Sequence, residues 1–416
     1  MSMDFSPFPN TLEMVQWLSK FGQTKNDGVT RLLYTSSWLE AQEALKTFME
    51  KSGFQAYYDN VGNLFGRVEG KDKTAPIILT GSHVDTVVDG GKFDGAYGVI
   101  ASLIAVQRLF KKYGEPKHTM EVVSLCEEEG SRFPISYWGS RNITGEYTLD
   151  DAAAVRDEDG VSLLEAMKIS GFSPEHYKPT SRTDIGCFVE IHIEQGSILE
   201  KAAKSIGLVS HIVGQKRFTI TVQGESNHAG TTPMHDRKDA LSIAAGLIAH
   251  ITEKAGKADP GLRATVGSIT ASPNVSNVIA GKTEFSLDVR HHDTAYLEQF
   301  CDELFRYFKD IAGKSGTMIN VRQWFQADSV KMDENLLNIA RLTASEKGIS
   351  HHELTSGAGH DSQVFGSFCP TALLFVPSVD GISHSPLEQT LNKDLEKGVE
   401  LLTAFLYKLA YQGGEI

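Results

Sequence analysis

The stretch Gly81-Ser82-His83-Val84-Asp85-Thr86-Val87-Val88-Asp89-Gly90-Gly91-Lys92-Phe93-Asp94-Gly95 decides how the rest of the chain is read. A short apolar run, Ile77-Ile78-Leu79-Thr80, precedes it, and a helix-like run over 96–110 follows. A buried strand therefore emerges at His83, and a helix starts at Asp94. Open α/β sheets bind ligands at the carboxyl ends of their strands. An imidazole and a carboxylate delivered together at such an end point to a metal ion. One pair cannot hold a metal, so other strand ends must supply partners. The glycines at 90, 91, 95 and 98 give neither GxGxxG nor GxxxxGK[ST], which argues against a phosphate-binding loop.

Working outward, apolar spacing predicts helices over 10–22 and 36–52, then a hairpin from 54–58 to 63–68 around Asn60-Val61-Gly62. Residues 28–34 read as a loop or short strand. Beyond the opening stretch, 120–125 is a buried strand running into Glu127-Glu128-Glu129, and 187–193 is a strand carrying His192. Residues 140–186 are polar and loop-rich, with one helix near 162–169. Strand 371–376 and helices 334–347 and 391–411 complete an α/β core with a mostly parallel sheet flanked by helices. From residue 212 the pattern changes. Strand 218–222, helix 236–253, strands 264–269 and 285–289, helix 294–312 and strand 318–324 make a split βαβ unit of ferredoxin-like type. The expected organisation is a core of 1–211 with 328–416, interrupted by an inserted α+β domain over 212–327.

A chain of 416 residues can build two such cores, and 41% hydrophobic with 22% charged residues is ordinary globular composition. The net charge of −13, without basic runs, argues against nucleic acid or an anionic membrane as partner. No apolar run approaches the ~20 residues of a membrane span. The first 20 residues hold one lysine and no long apolar segment, so a secretory signal is not expected. The 4 cysteines, at 126, 187, 301 and 369, lie far apart and form no CxxC. A reducing compartment, the cytoplasm, is the expectation.

The core offers His83, Asp94, Glu129, His192 and His384 near strand ends. Imidazole and carboxylate donors suit Zn²⁺, Mn²⁺, Co²⁺ or Ni²⁺. No thiolate joins them. If Asp94 bridges, one metal takes His83, Asp94 and His192, and the other takes Asp94, Glu129 and His384, a two-metal site of the hydrolytic kind. Each residue alone has a plainer reading. A histidine at a strand end is usually structural, Asp94-Gly95 is usually a turn or cap, and a glutamate run is usually a solvated turn. Their joint placement on strand ends raises the metal reading. Asp85, two residues after His83, is expected to hold the imidazole's second nitrogen. One glutamate of the run can serve as general base, although three in a row allow more than one register. Neither a cysteine nucleophile nor a GxSxG elbow is present. His351-His352 reads as exposed and non-ligating.

The segments GSHVDTVVDGGKFDG, EEEGSRF, FVEIHIEQG, VGQKRF, GESNHAGTTPM, NVIAG followed by DVRH, SGAGHD and GISHSP together resemble the M20 metallopeptidase-like superfamily, in its amidase branch. The resemblance spans about 28–390. It implies a metallopeptidase-like catalytic core with two divalent metal ions per subunit, Mn²⁺ preferred and Zn²⁺, Co²⁺ or Ni²⁺ possible. It assigns Glu128 as base and Glu129 as ligand, and substrate contacts to Gln215, His228, Asn277, Arg290, Gly359 and His360. Arg290 could then grip a carboxylate, and His228 could stabilise an oxyanion. Without the resemblance, Arg290 beside His291-His292 reads as a surface charge cluster and His228 as turn chemistry. The inserted domain is expected to act as dimerisation and lid domain of a homodimer, with its histidine reaching the partner's site. The implied reaction is hydrolysis of a ureido C–N bond in a small ureido carboxylate. Within the branch, GVTRLLY (28–34) and YWGSRNITG (137–145) look more like allantoate amidohydrolases, with N-carbamoyl-L-amino acid hydrolases as the alternative. A non-catalytic small-molecule binder on the same fold is a further alternative.

Overall fold

The computed structural model describes residues 10–172, 175, 177 and 181–413. The reading of the chain's start therefore falls partly outside the described residues. Fourteen strands are described: β1 Gln55–Tyr58, β2 Leu64–Val68, β3 Ile77–His83, β4 Met120–Leu125, β5 Ile185–Ile193, β6 Ile206–Ile212, β7 Gly214–Gln223, β8 Arg263–Thr265, β9 Ile269–Ser272, β10 Lys282–His291, β11 Met318–Ala327, β12 Val330–Lys331, β13 His351–Ser356 and β14 Thr371–Val376. The chain divides into two compact units, residues 1–210 with 331–416, and residues 211–330.

The first unit is built on a nine-stranded sheet of order β1-β2-β4-β3-β5-β14-β6-β12, with β13 paired to β6. Its centre, β4-β3-β5-β14, is parallel, and the β1-β2, β2-β4 and β14-β6 pairs are antiparallel. The central strands are buried along their length and mostly apolar, as suits strands covered on both faces. Phe65, Leu79, Val123, Leu125, Phe188 and Phe365 meet in one buried cluster. Each such side chain removed from water contributes about 1.5–3 kcal/mol. The helix Ala96–Tyr113 packs across the sheet and starts two residues after Asp94, with Gly95 as its cap. β6 and β13 were not read from the sequence, because polar residues break their apolar pattern. The stretch read as loop-rich also holds the short helices Trp138–Thr144 and Leu149–Ala153. Val29 makes only isolated bridges, to Gln23 and Gly90.

The second unit has a five-stranded sheet of order β11-β7-β10-β8, with β9 also on β10. The neighbours are antiparallel throughout. Helices Ala240–Gly256 and Thr294–Ser315 pack on it, and Phe218, Ile220, Val222, Phe285, Leu287 and Val289 face their apolar stripes. This is the split βαβ order. The run read as one strand over 264–269 is two short strands. Between them the N–H groups of Gly267 and Ser268 donate to Ser286 Oγ at 3.2 and 3.0 Å, so a side chain replaces the ladder there.

Candidate active site

The parallel strands β4, β3, β5 and β14 run their carboxyl ends to one edge of the first unit's sheet. His83 is the last residue of β3, and His192 is next to last in β5. The glutamate run follows β4, and the loop after β14 carries His384. The side chain of Asp94 lies among them. Its Oδ1 is 3.1 Å from His192 Nε2 and 3.6 Å from His83 Nε2, and its Oδ2 is 3.2 Å from His384 Nε2. His384 Nε2 is also 3.5 Å from Glu129 Oε1. The sequence-predicted ligands thus fall into two groups that share Asp94: His83, Asp94 and His192, and Asp94, Glu129 and His384.

The donor chemistry of these groups fits a divalent cation. His83 Nδ1 lies 3.0 Å from the Asp85 carbonyl oxygen, and His192 Nδ1 lies 2.9 Å from the Ile193 carbonyl oxygen. A carbonyl only accepts, so each neutral ring carries its hydrogen on Nδ1 and turns a bare Nε2 toward Asp94. The Gly95 N–H, pointing at His192 Nε2 from 2.9 Å, marks that nitrogen as an acceptor too. Lone pairs aimed at a carboxylate need positive charge between them. Against the opposing effect of burial, Glu128 and Asp94 hold His83 well above its ordinary pKa, and Asp94 holds His192 above its own. Asp94 stays well below the usual carboxylate range: burial alone would raise it, and the three imidazoles outweigh that. Burial and the Asp94 charge push Glu129 up to about 7, and burial pushes Glu128 well above its ordinary value. Glu129 Oε1 is buried with no hydrogen-bond partner. This surplus of buried carboxyl groups around bare imidazole nitrogens is what a bound cation would relieve.

The glutamate run divides by direction. Glu127, at φ +53°, turns into its own loop and accepts the N–H groups of Arg132 and Phe133 at 3.2 and 3.0 Å. Glu128 Oε2 lies 3.9 Å from His83 Nε2, and Glu129 faces His384. One expectation needs correction. The Asp85 carboxylate does not hold His83, since its Oδ1 is 3.9 Å from Nδ1. The backbone carbonyl of Asp85 does that, because the chain turns immediately after the strand. The carboxylate instead accepts the Glu129 N–H at 3.1 Å through Oδ2.

Some positioning residues escaped the sequence reading. Gln195 Nε2 donates to Asp94 Oδ2 at 2.9 Å. Glu388 accepts the N–H groups of Phe93 and Asp94 at 2.8 and 3.1 Å, and the Ser383 hydroxyl at 2.7 Å. The signals were the Glu-Gln-Gly after His192 and the glutamate four residues beyond His384. A Cβ on Gly91 would overlap the Glu388 carboxylate, and one on Gly95, at φ +60°, would lie 2.5 Å from the His83 ring. These two glycines are therefore spaces for a carboxylate and an imidazole. Buried Arg31 donates to the carbonyls of Val84, Leu18 and Phe21 at 2.5, 2.9 and 3.2 Å, tying the first helix to the loop beyond His83. His360 lies edge-on to His192 with ring centroids 4.6 Å apart, and its buried Nε2 has no hydrogen-bond partner. Burial first, and then neighbouring His192, hold it well below its ordinary pKa. At Gly359 a Cβ would overlap the Tyr137 hydroxyl. His351 and His352 lie on β13 and join neither ligand group.

The remaining expected contacts lie in the second unit, in two groups. Gln215 and Arg290 are direct partners across β7 and β10. His228 and Asn277 lie beyond the other end of these strands, on loops joined by the His228–Val278 bridge and by the Ala229 N–H to the Asn277 carbonyl at 3.0 Å. From Gln215 to Gln223 the strand alone spans about 26 Å at ~3.3 Å per residue. His228 and Asn277 are both exposed. His228 Nδ1 accepts the Gly230 N–H at 3.0 Å, so the neutral ring carries its hydrogen on Nε2.

The family model described as Peptidase family M20/M25/M40 matches residues 79–408. An allantoate amidohydrolase of Bacillus subtilis (strain 168) is 48% identical over 399 residues, covering 96% of this chain and 97% of that protein. An N-carbamoyl-L-amino-acid amidohydrolase of Paenarthrobacter aurescens is 36% identical over 390 residues, 93% of this chain and 94% of that protein. The crystal structure of an amidase of the hydantoinase/carbamoylase family from Burkholderia multivorans superposes with a TM-score of 0.90 at 34% identity, covering 96% of this chain and 97% of that one. With the model matched over most of its length and such relatives along nearly all of it, the chain belongs to the M20/M25/M40 peptidase family.

Proposed function

We propose that this chain is a hydrolase that cleaves a ureido C–N bond of allantoate, releasing ureidoglycine, ammonia and CO₂. The observation that carries the substrate is the 48% identity to an allantoate amidohydrolase across 96% of the chain. The reaction type is supported by the paired ligand groups on Asp94. His83, Asp94 and His192 would hold one divalent ion, and Asp94, Glu129 and His384 the other. When bound, two such ions supply a Lewis acid for the ureido oxygen and lower the pKa of a water. Mn²⁺ is the proposed metal, and Zn²⁺, Co²⁺ or Ni²⁺ would suit the same donors.

The chain's own groups then do the following. Glu128 takes a proton from the water that attacks the ureido carbonyl and passes it to the leaving nitrogen. The His228 Nε2–H donates to the carbonyl oxygen as it becomes an oxyanion. Arg290 and Asn277 bind the substrate's carboxylate and amide groups, and Gln215 reads the far ureido group. Gly359 and His360 wall the pocket, where neutral His360 offers a ring nitrogen beside His192.

The two groups in the second unit stand too far apart for one small substrate to touch both in a single chain. A homodimer through the inserted domain, in which His228 and Asn277 serve the partner's site, meets that constraint. A cytoplasmic location is proposed on the free state of all four cysteines. Among the described residues, no helix is long and apolar enough to cross a membrane.

The second reading is an N-carbamoyl-L-amino acid hydrolase, favoured by the 36% identical relative. Steady-state kinetics of the Mn²⁺-loaded protein on allantoate and on a panel of N-carbamoyl-L-amino acids separate the two. A kcat/KM higher for any carbamoyl amino acid than for allantoate would replace the first reading with the second. Tight binding without turnover of either would leave a non-catalytic binder.

A further inference from the structure

On the open face of the second unit's sheet, one carboxylate gathers three donors. Asp288, on β10, accepts Gln215 Nε2 at 2.5 Å and Arg217 Nε at 3.0 Å, both on Oδ2. From Arg290 it accepts Nε on Oδ1 at 3.0 Å and Nη2 on Oδ2 at 3.2 Å. The register explains the meeting. Asp288 lies directly opposite Arg217, and Arg290 directly opposite Gln215. Residues two apart on a strand share a face, so all four side chains emerge on the same side. The Arg217 guanidinium lies over the Trp324 and Phe325 rings, 5.6 and 5.1 Å from their centroids, which fixes it from the other side.

We propose that Asp288 is a positioning residue for substrate recognition and that Arg217 is its charge partner. A carboxylate only accepts, so Asp288 takes the NH₂ of Gln215 and turns Oε1 outward. The outward group is then an acceptor, matched to the N–H of a ureido group and mismatched to a carboxylate. By holding the Nε–Nη2 edge of Arg290, Asp288 also fixes the guanidinium plane. A lone Asp288–Arg290 pair would be neutral and a poor site for an anion. With Arg217 in place the cluster keeps a net single positive charge beside the acceptor. The face therefore selects a ligand that carries a negative charge and an N–H donor at fixed spacing. This rests on the ureido-carboxylate reading above and gives it a specificity device. The Asp288 carboxyl is accordingly acidic: burial opposes its ionisation, but Arg290, Gln215 and Arg217 bring its pKa below the ordinary value.

The test uses full-length Mn²⁺-loaded protein with Asp288→Asn and Arg217→Gln. Both should raise KM for allantoate about tenfold or more, the loss of a hydrogen bond to a charged group, with kcat much less affected. Metal content and unfolding midpoint should stay near wild type. The Asp288→Asn direction is decisive, because it makes the cluster more positive. Simple electrostatics predicts a lower KM there, and positioning predicts a higher one. A lower or unchanged KM in Asp288→Asn overturns the proposal. So does a crystal structure of that variant in which Gln215 and Arg290 keep their places, whichever substrate the enzyme uses. Wild-type protein inactive on every ureido carboxylate would instead sink the reading on which this rests.

Discussion

The Glu388 carboxylate accepts the backbone N–H of Asp94 at 3.1 Å. Glu388 thereby ties the loop of the shared ligand to the loop of His384, because the same carboxylate also takes the Ser383 hydroxyl. Glu388→Ala should weaken metal retention about 10–100-fold, the usual cost of losing a partner behind the ligands. Competition with a chelator, read by metal analysis, checks this. Wild-type retention in Glu388→Ala would remove Glu388 from the support of the site.

In the proposed mechanism Glu128 moves the proton, and Glu129, 3.5 Å from His384 Nε2, is the metal ligand. Glu128→Gln should cut kcat about 10²–10⁴-fold while leaving metal content and substrate affinity in place. Rapid kinetics beside calorimetric binding would show it. Turnover near wild type would assign the base elsewhere.

Asp94 serves both ligand groups, and His384 serves one. Asp94→Asn should disturb both metal positions, and His384→Ala should empty mainly one. Metal analysis after gel filtration distinguishes the two patterns, and equal losses would contradict a shared Asp94. Cation uptake should also be pH-dependent in a stated direction. Asp94 first, against burial, raises His384 to about 9, and burial raises Glu129 to about 7. Both groups therefore hold protons near neutral pH that a metal must displace. Apparent affinity in the metal-stripped protein should rise with pH through this range, with proton release visible in weakly buffered calorimetry. Flat affinity from pH 6 to 9 would be the contrary result.

Away from the site, fully buried Glu121 accepts Arg67 and Arg182 at 2.9 Å each and the Tyr57 hydroxyl at 2.8 Å. Glu121→Gln removes the charge that two guanidinium groups share. Breaking a buried pair costs about 3–5 kcal/mol, and the partial exposure of both arginines reduces this to about 2 kcal/mol. A lower urea midpoint, with kcat unchanged at low temperature, is expected. An unchanged midpoint would show that solvent already screens the pair.

The residues grouped around Asp94 were legible in the sequence because short, mostly apolar runs mark the buried central strands, and His83, His192 and the glutamate run lie at or just past the ends of those strands. The alternating strands and two amphipathic helices of the second unit follow from its sequence pattern. What was hidden depended on backbone direction or on partners far apart in sequence. Asp85 acts on His83 through a carbonyl, which no side-chain pattern announces. Glu127 and Glu129 are identical in composition, and only the left-handed turn at Glu127 sends one into its own loop. Glu388 and Asp94 are nearly three hundred residues apart. Arg290 was read as a grip for substrate, and Asp288, two residues before it, emerges as its holder only once the strands are in register.

Gln215 with Arg290 and His228 with Asn277 stand at opposite ends of the same strand pair, so the proposed site is one completed by two chains. The direct measurement is allantoate hydrolysis by mixed dimers of Glu128→Gln and His228→Ala, each nearly inactive alone. If His228 serves the partner's site, random re-pairing of equal amounts restores about a quarter of wild-type activity, one competent site in each mixed dimer. No recovery, with mixed dimers shown to have formed and wild type active, would contradict the account.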